Sequence, residues 1–354
     1  MPNMNLQLSV VDQLPIHAGG NGATATQHAT TLAKTSDALG YHRYWIAEHH
    51  NTPSYASPCP EILIAHIASV TERLRVGSGG VMLSHYSPYK VAEVFKMLAT
   101  LYPGRIDLGI GRAPGGDELA TAALAYPGKC LDVTPYEAQA AQVAGFLRGE
   151  LPPEHPFSSL RLMPDGPEVP QQWMLGSGGG SAELAGQLGM GFALALFIGT
   201  QERSVEIFER HRQARKNAGH PGKSSEMLAA AVICADSAEE ARFLAASHTY
   251  WKVMAFRHGI REGIRSPQDA IDARARLSLS DQAYFDATLS SMICGSGQYC
   301  REKLEGLSVH YGVEEISVVN VTHDFGARIR SYELLAAACE LASTTKTAAL
   351  HSAA

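Results

Sequence analysis

Short runs of apolar, β-branched residues recur along the chain, and between them the apolar positions fall at helical spacing. The runs at 6–11, 43–47, 74–81, 105–110, 173–176, 192–196, 228–234 and 315–321 are largely apolar on both parities. That is the pattern of strands covered on both faces. Helical spacing predicts helices at 24–39, 60–70, 91–101, 135–147, 181–188, 201–217, 238–251, 297–311 and 327–342. Gly40 and Pro103-Gly104 punctuate the first and third, and Thr200 reads as the N-cap of the helix at 201–217. Strict alternation of strand and helix predicts an α/β fold with a parallel sheet. Eight repeats predict a closed (β/α)8 TIM barrel more than an open sheet.

Two stretches break the rhythm. Residues 151–172 are rich in proline and aperiodic, and read as a long connecting loop. Residues 258–294 are polar and helical and fall between the seventh and eighth predicted strands, where an insertion is a candidate lid. The expected organisation is one barrel domain over 1–342 followed by a flexible tail at 343–354.

Composition narrows the class. The 354 residues are 45% hydrophobic and 18% charged, with a formal net charge of −6 and no long basic run. Nothing resembles an electrostatic footprint for nucleic acid or for an anionic membrane. No window has the apolar length of a membrane span, and the N-terminal residues read as a first strand rather than a signal, so a cytoplasmic address is expected. The six cysteines form no C-x-x-C pair and are expected to be plain thiols.

Candidate chemistry gathers where predicted strands end. Glu48-His49-His50 closes the second strand, at the barrel end that carries active sites. An imidazole there can move protons near neutral pH, the plainer alternative being two polar loop histidines. The third strand ends in Gly77-Ser78-Gly79-Gly80. Glycines there point to close approach of a flat ligand, to a bulged or cis backbone, or to a simple bulge. The fourth strand runs into Gly111-Arg112-Ala113-Pro114. The Arg112 guanidinium suits a phosphate or carboxylate; an ion pair with Asp117 or Glu118 is the alternative. The fifth strand runs into Gly176-Ser177-Gly178-Gly179-Gly180-Ser181, a glycine-rich loop opening a helix and hence a candidate anion site. Its spacing fits neither a nucleoside-triphosphate loop nor a dinucleotide fingerprint, and a phosphate on a smaller cofactor fits better. After the eighth strand, Arg328 or Arg330 is expected to bond neighbouring loops, and His323 is a minor candidate for the site. Glu48, His49, His50, His66 and His85 have no metal-ligand spacing, so no metal is expected.

Taken in order, these segments resemble the luciferase-like monooxygenases, the flavin-dependent superfamily that includes bacterial luciferase. The resemblance is carried by Trp45-Ile46-Ala47-Glu48-His49-His50, by Arg75-Val76-Gly77-Ser78-Gly79-Gly80-Val81-Met82-Leu83 and by Leu101-Tyr102-Pro103-Gly104-Arg105-Ile106-Asp107-Leu108-Gly109-Ile110-Gly111-Arg112. The glycine-serine loop at 176–182 and the closing segment at 327–335 match as well. The resemblance implies a barrel that binds FMN, as reduced flavin delivered by a separate reductase, and a homodimer. It implies that His49 is catalytic and that Arg112 helps hold the flavin phosphate, with Gly176, Ser177, Gly178, Gly179 and Ser181 around it. It further implies that Gly79-Gly80 forms a non-proline cis peptide under the flavin, with Ser78, Gly79 and Gly80 among the cofactor-binding residues.

The implied activity is insertion of one oxygen atom from O2 into a small organic substrate through a flavin C4a-peroxide. His49 would manage the proton, Glu48 would orient nearby groups, and Met82 and Phe197 would keep water out. An F420-dependent hydride transfer in the same superfamily and a flavin-binding protein without catalysis are the alternatives. Relatives commonly carry Leu-Pro-Asn-His-Ser-Pro where this chain has Leu83-Ser84-His85-Tyr86-Ser87-Pro88, and histidine where it has Phe197 and Phe325. The two aromatic changes predict a less polar pocket.

Overall fold

The computed structural model describes residues 6–126, 136–199 and 202–342. Cys130, the Thr200 N-cap and the tail at 343–354 therefore lie outside the described residues. Eight parallel strands close on themselves: β1 (Gln7–Asp12), β2 (Arg43–Ile46), β3 (Arg75–Ser78), β5 (Ile106–Gly111), β6 (Gln171–Gly176), β7 (Gly191–Ala195), β8 (Glu226–Cys234) and β10 (Glu315–Val319). Pairing of β10 with both β8 and β1 completes the ring. The expected TIM barrel is thus the fold.

Two short strands were not anticipated. The third run at 74–81 is interrupted after Ser78, where Gly79-Gly80 is a cis peptide, and resumes as β4 (Val81–Met82) against β5. A three-residue strand, β9 (Ile293–Gly295), pairs with the last residues of β8, beyond the point where β10 has left the ring. Helices α1 (Gly22–Leu39), α2 (Pro60–Ser69), α3 (Pro88–Leu101), α5 (Tyr136–Arg148), α6 (Gly179–Gln187), α7 (Glu206–Asn217), α11 (Gly297–Tyr311) and α12 (Phe325–Ala338) follow the strands. The helix expected at 201–217 begins only at Glu206. A short helix that the periodicity did not show, α4 (Glu118–Ala125), is capped by Asp117, whose side chain accepts from Ala120 N. The helix expected to stop at 251 continues as α8 (Ala238–His258) and ends on Gly259 in the left-handed region. The insertion then holds α9 (Pro267–Arg274) and α10 (Leu279–Ser291) before β9.

Alternating parity divides each strand between two cores. Leu8, Val10, Tyr44, Ile46, Val76, Leu108 and Ile316 join the shell between sheet and helices. Val11, Trp45, Trp173, Ala193, Met227, Ala229 and Val319 fill the inside. Trp45 and Trp173 meet edge-on at 5.3 Å, and small residues make room for them. A Cβ at Gly191 would lie 2.6 Å from the Trp173 ring, so nothing larger than glycine fits there without a shift.

The barrel floor is charged and closed. Asp107 accepts from Arg43 (2.7 Å), Arg75 (2.6 Å) and the Trp45 indole (2.9 Å). Arg43 also reaches Glu315 at 2.8 Å and Gln171 at 2.9 Å. Removing one member of such a buried cluster strands the others without partners. Asp107→Ala is therefore expected to destabilise the fold by about 3–5 kcal/mol. Chemical denaturation reads this, and a loss below about 1 kcal/mol would show that Arg43 and Arg75 find other partners.

Candidate active site

The register brings the strand exits to one rim. Ile46 is level with Ser78, so Glu48 emerges beside Gly80. Ile110 is level with Met174, so Arg112 emerges beside Gly176. Glu48, Gly79, Gly80, Arg112 and the glycine-serine loop therefore share the C-terminal end of the barrel, where the sequence placed them.

Glu48 is 1% exposed and its carboxylate is fully engaged. It accepts from Tyr86 OH (2.7 Å), Met82 N (3.0 Å) and His50 Nε2 (2.7 Å). These bonds fasten the exit of β2 to the segment after the Gly79-Gly80 break. Burial, then the adjacent Glu48 carboxylate, holds the Tyr86 phenol well above its ordinary range. His50 is thus a paired imidazole.

His49 is the unpaired one. Its backbone N–H donates to Ser57 O at 2.8 Å, and its ring lies 4.5 Å from the Tyr55 ring. Its Nδ1 is enclosed and has no hydrogen-bond partner. Burial first, then His50 and Arg261, lowers its pKa to about 4. The ring is therefore neutral at physiological pH and able to accept a proton.

The insertion closes over this corner. Tyr55 packs on Trp251 at 5.0 Å, Trp251 Nε1 donates to Ser54 Oγ at 2.7 Å, and Ser54 Oγ donates to Glu262 O at 2.8 Å. Further along, Ile264 N donates to Ile16 O and Ala18 N donates to Ile264 O, both at 2.8 Å. The loop between α8 and α9 is thereby stapled to the exits of β1 and β2.

The remaining expected site residues fall as follows. Ser78 is fully buried, and its hydroxyl donates to Gly109 O (2.8 Å) and accepts from Gly109 N (3.0 Å). It stitches β3 to β5 where the ladder is interrupted. Arg112 pairs with Glu137 at 2.8 Å and lies 5.1 Å over the Tyr136 ring. Neither acidic partner of the alternative reading holds it: Asp117 instead caps α4 and accepts from Asn51 at 2.8 Å. Gly178 is the N-cap of α6 and offers no side-chain cap, and the first turn carries no acidic residue. The first backbone N–H groups of that helix are consequently open to an anion. Space beside Gly178 and Gly180 is empty, and Ser177 is exposed. Arg210 of α7 brings its guanidinium within 3.0 Å of where a Gly179 side chain would begin.

Two of the aromatic expectations divide. Phe197 packs against both the barrel interior and the core between β8, α8 and β9. Phe325 stacks on His28 of α1 at 3.8 Å, so it belongs to a helix contact rather than to the pocket wall. As expected, the Arg328 side chain is structural: it pairs with Asp12 at 2.6 Å and donates to Asn320 O at 2.9 Å. His323 lies 5.4 Å from His17 on the β1 side. Tyr55, Arg210 and Arg261 went unnoticed in the sequence, since each matters through neighbours remote along the chain.

Comparison with known proteins follows from this geometry. The family model described as luciferase-like monooxygenase matches residues 6–315. The chain is 39% identical over 333 residues to the uncharacterized protein YceB of Bacillus subtilis, covering 94% of this chain and 98% of that one. It is 35% identical over 332 residues to the N-acetyl-S-alkylcysteine monooxygenase of the same organism, covering 93% and 97%. Among solved structures, apo-MsnO8 superposes with a TM-score of 0.81 at 36% identity, covering 96% of this chain and 99% of that one. The fold is shared with the oxygenating constituent of 3,6-diketocamphane monooxygenase of Pseudomonas putida in complex with FMN (TM-score 0.71, 20% identity, 94% and 96% covered). It is also shared with an F420-dependent secondary alcohol dehydrogenase (TM-score 0.65, 13% identity, 94% and 99% covered).

The lowered pKa of His49 has a signed consequence. Above pH 6.5 the ring is neutral in folded and unfolded chains alike and leaves stability unaffected. Between 6.5 and about 4 only the unfolded chain takes the proton, so stability falls as pH falls, and below about 4 this loss is complete. From pH 7 to 4.5, His49→Asn should accordingly lose about 2 kcal/mol less stability than the parent chain. The ring resonance in an NMR titration should have its midpoint near 4. A midpoint at the ordinary histidine value would show the imidazole to be solvated.

Proposed function

The chain belongs to the luciferase-like monooxygenase family, and from that premise we propose that it is an FMN-dependent, two-component monooxygenase. It would take reduced FMN from a separate reductase and transfer one oxygen atom of O2 to a small organic substrate. The observation that carries the proposal is a neutral His49 ring, half-buried with its Nδ1 enclosed and unpartnered, on the same rim as an uncapped helix start. The monooxygenase relative at 35% identity supports oxygen transfer over hydride transfer.

The residues present fit the cofactor. The open N–H groups at the start of α6, with Ser177, Ser181, Gly176, Gly178 and Gly179, would receive the phosphate. Arg112 and Arg210 would supply the counter-charge. At Gly79 and Gly80, where side chains would meet Trp45 and Gly109, the rim backbone would lie under the flat ring. When bound, reduced FMN supplies the reaction with O2.

The protein's own work is positioning, drying and proton handling. The His49 imidazole would accept or return a proton at the reacting end of the substrate. Glu48 holds the β2 exit in place through Tyr86, Met82 and His50. Met82, Phe197 and the stapled insertion, acting as a lid, exclude water. The homodimer is supported by exposed Ile62 of α2 and by Met97 and Leu101 of α3, apolar side chains that a second copy would cover. A cytoplasmic, reducing compartment agrees with five described cysteines that are all free thiols.

Purified protein should bind FMN, and with a reductase and an N-acetyl-S-alkylcysteine it should take up O2. His49→Ala is expected to lower product yield by about 10²–10⁴ while leaving FMN titration intact. Unchanged yield removes His49 from the reaction, and F420 binding without O2 uptake replaces the proposal by its alternative. Gly178→Asp separates anion binding from folding. An aspartate caps a helix at least as well as glycine, and the space beside Gly178 is empty, so stability should hold or rise slightly. The added carboxylate would repel the phosphate and weaken FMN about tenfold or more. An unaltered dissociation constant would move the phosphate elsewhere.

A further inference from the structure

The fold satisfies its buried phenols with care. Tyr41 donates to Tyr332 O, Tyr44 to Asp12, Tyr86 to Glu48, Tyr102 to Ala65 O and Tyr311 to Arg203 O. Two enclosed phenols have no partner, Tyr136 and Tyr55. Tyr136 lies beneath Arg112 at the proposed phosphate end. Tyr55 lies at the other end of the rim, against His49.

Tyr55 cannot turn outward to find water. Its residue pairs with Pro15 as an isolated antiparallel bridge, and the next residue, Ala56, donates from its backbone to Leu14 O at 3.0 Å. Its ring is held between His49 at 4.5 Å and Trp251 at 5.0 Å, and Trp251 is itself tied to Ser54. The residue is 4% exposed. Burial raises its phenol far above the ordinary range, so the hydroxyl keeps its proton and acts as a donor. A fixed, enclosed donor with no acceptor among the described residues, beside an imidazole whose Nδ1 is likewise unpartnered, awaits an acceptor from outside.

We propose that Tyr55 is a specificity-determining, substrate-contacting residue, whose hydroxyl donates a hydrogen bond to a carbonyl or carboxylate oxygen of the organic substrate beside His49. The substrate class is then an oxygen-bearing molecule rather than a bare hydrocarbon or simple thioether. A buried donor discriminates strongly, because an analogue without the acceptor leaves it unpaired. The assignment rests on the monooxygenase function proposed above.

The test compares the FMN-loaded parent protein with Tyr55→Phe, which keeps the ring between His49 and Trp251 and deletes only the oxygen. Matched probes are N-acetyl-S-benzylcysteine against benzyl methyl sulfide, and decanal against decane. Binding is read by equilibrium titration, turnover by O2 uptake and product, and folding by melting temperature. In the parent, the oxygen-bearing member of a pair should bind at least tenfold more tightly. In Tyr55→Phe that preference should vanish, with KM rising at least tenfold and kcat changing less.

Equal preference in both proteins overturns the assignment, as does a parent that prefers neither member of any pair. Weaker FMN binding in Tyr55→Phe would give the hydroxyl to the flavin and overturn it too. A fall in kcat with a shifted pH profile for every probe alike would mark Tyr55 as a support for His49 instead. If the parent binds no FMN and takes up no O2, the monooxygenase proposal fails and the substrate assignment falls with it. Intact O2 chemistry with an indifferent Tyr55→Phe discards Tyr55 alone.

Discussion

One carboxylate sets the geometry of everything above it. Asp107 sits at the closed end of the barrel and gathers Arg43 and Trp45 of β2 and Arg75 of β3, while Arg43 carries the cluster on to Gln171 of β6 and Glu315 of β10. A strand that slips by one residue turns every side chain to the opposite face. With Arg43 and Trp45 both pinned on one parity, β2 has a single register, and Glu48 and His49 leave the barrel at a fixed height. The floor cluster is thus purely structural, whereas the rim mixes structural pairs with groups that no protein side chain engages.

The rim divides its polar groups accordingly. Asp12 and Arg328 satisfy each other and seat the start of α12. Glu48 is saturated by three donors and His50 is one of them. His49 is left without a partner one residue away. Two adjacent histidines therefore have opposite electrostatic situations: one is paired with a carboxylate, and the other is desolvated and neutral. The separation follows from backbone direction. Successive residues leaving a strand point to different sides, so only one of the pair can meet Glu48 while the other turns toward Tyr55.

The barrel was legible in the sequence because strands buried on both faces are apolar at every position, a signal that needs no knowledge of the partner strand. The rim histidines and the glycine-serine loop were legible because strand ends announce them. What escaped depends on contacts between distant residues. Tyr55 and Trp251 lie far apart in sequence, and neither is unusual in its own neighbourhood. Arg112 finds Glu137 rather than its neighbours Asp117 and Glu118, since Asp117 is committed to capping α4. The helix α4 is short and alanine-rich, and β9 is three residues long, so neither has a period to detect. Ser78 matched a cofactor-contact pattern, yet its hydroxyl closes the gap between β3 and β5.

The same long-range contacts join enclosure to electrostatics. The insertion reaches His49 along a single line of packed groups, from Glu262 through Ser54 and Trp251 to Tyr55. Part of the burial that lowers the His49 pKa is supplied by Tyr55, which Trp251 holds in place, and Arg261 on the same loop adds its positive charge. Covering the pocket therefore also lowers the affinity of the imidazole for a proton. A segment that shuts out water in this way also keeps the proposed base free of a proton, which unites the drying and proton-handling roles in a single set of contacts.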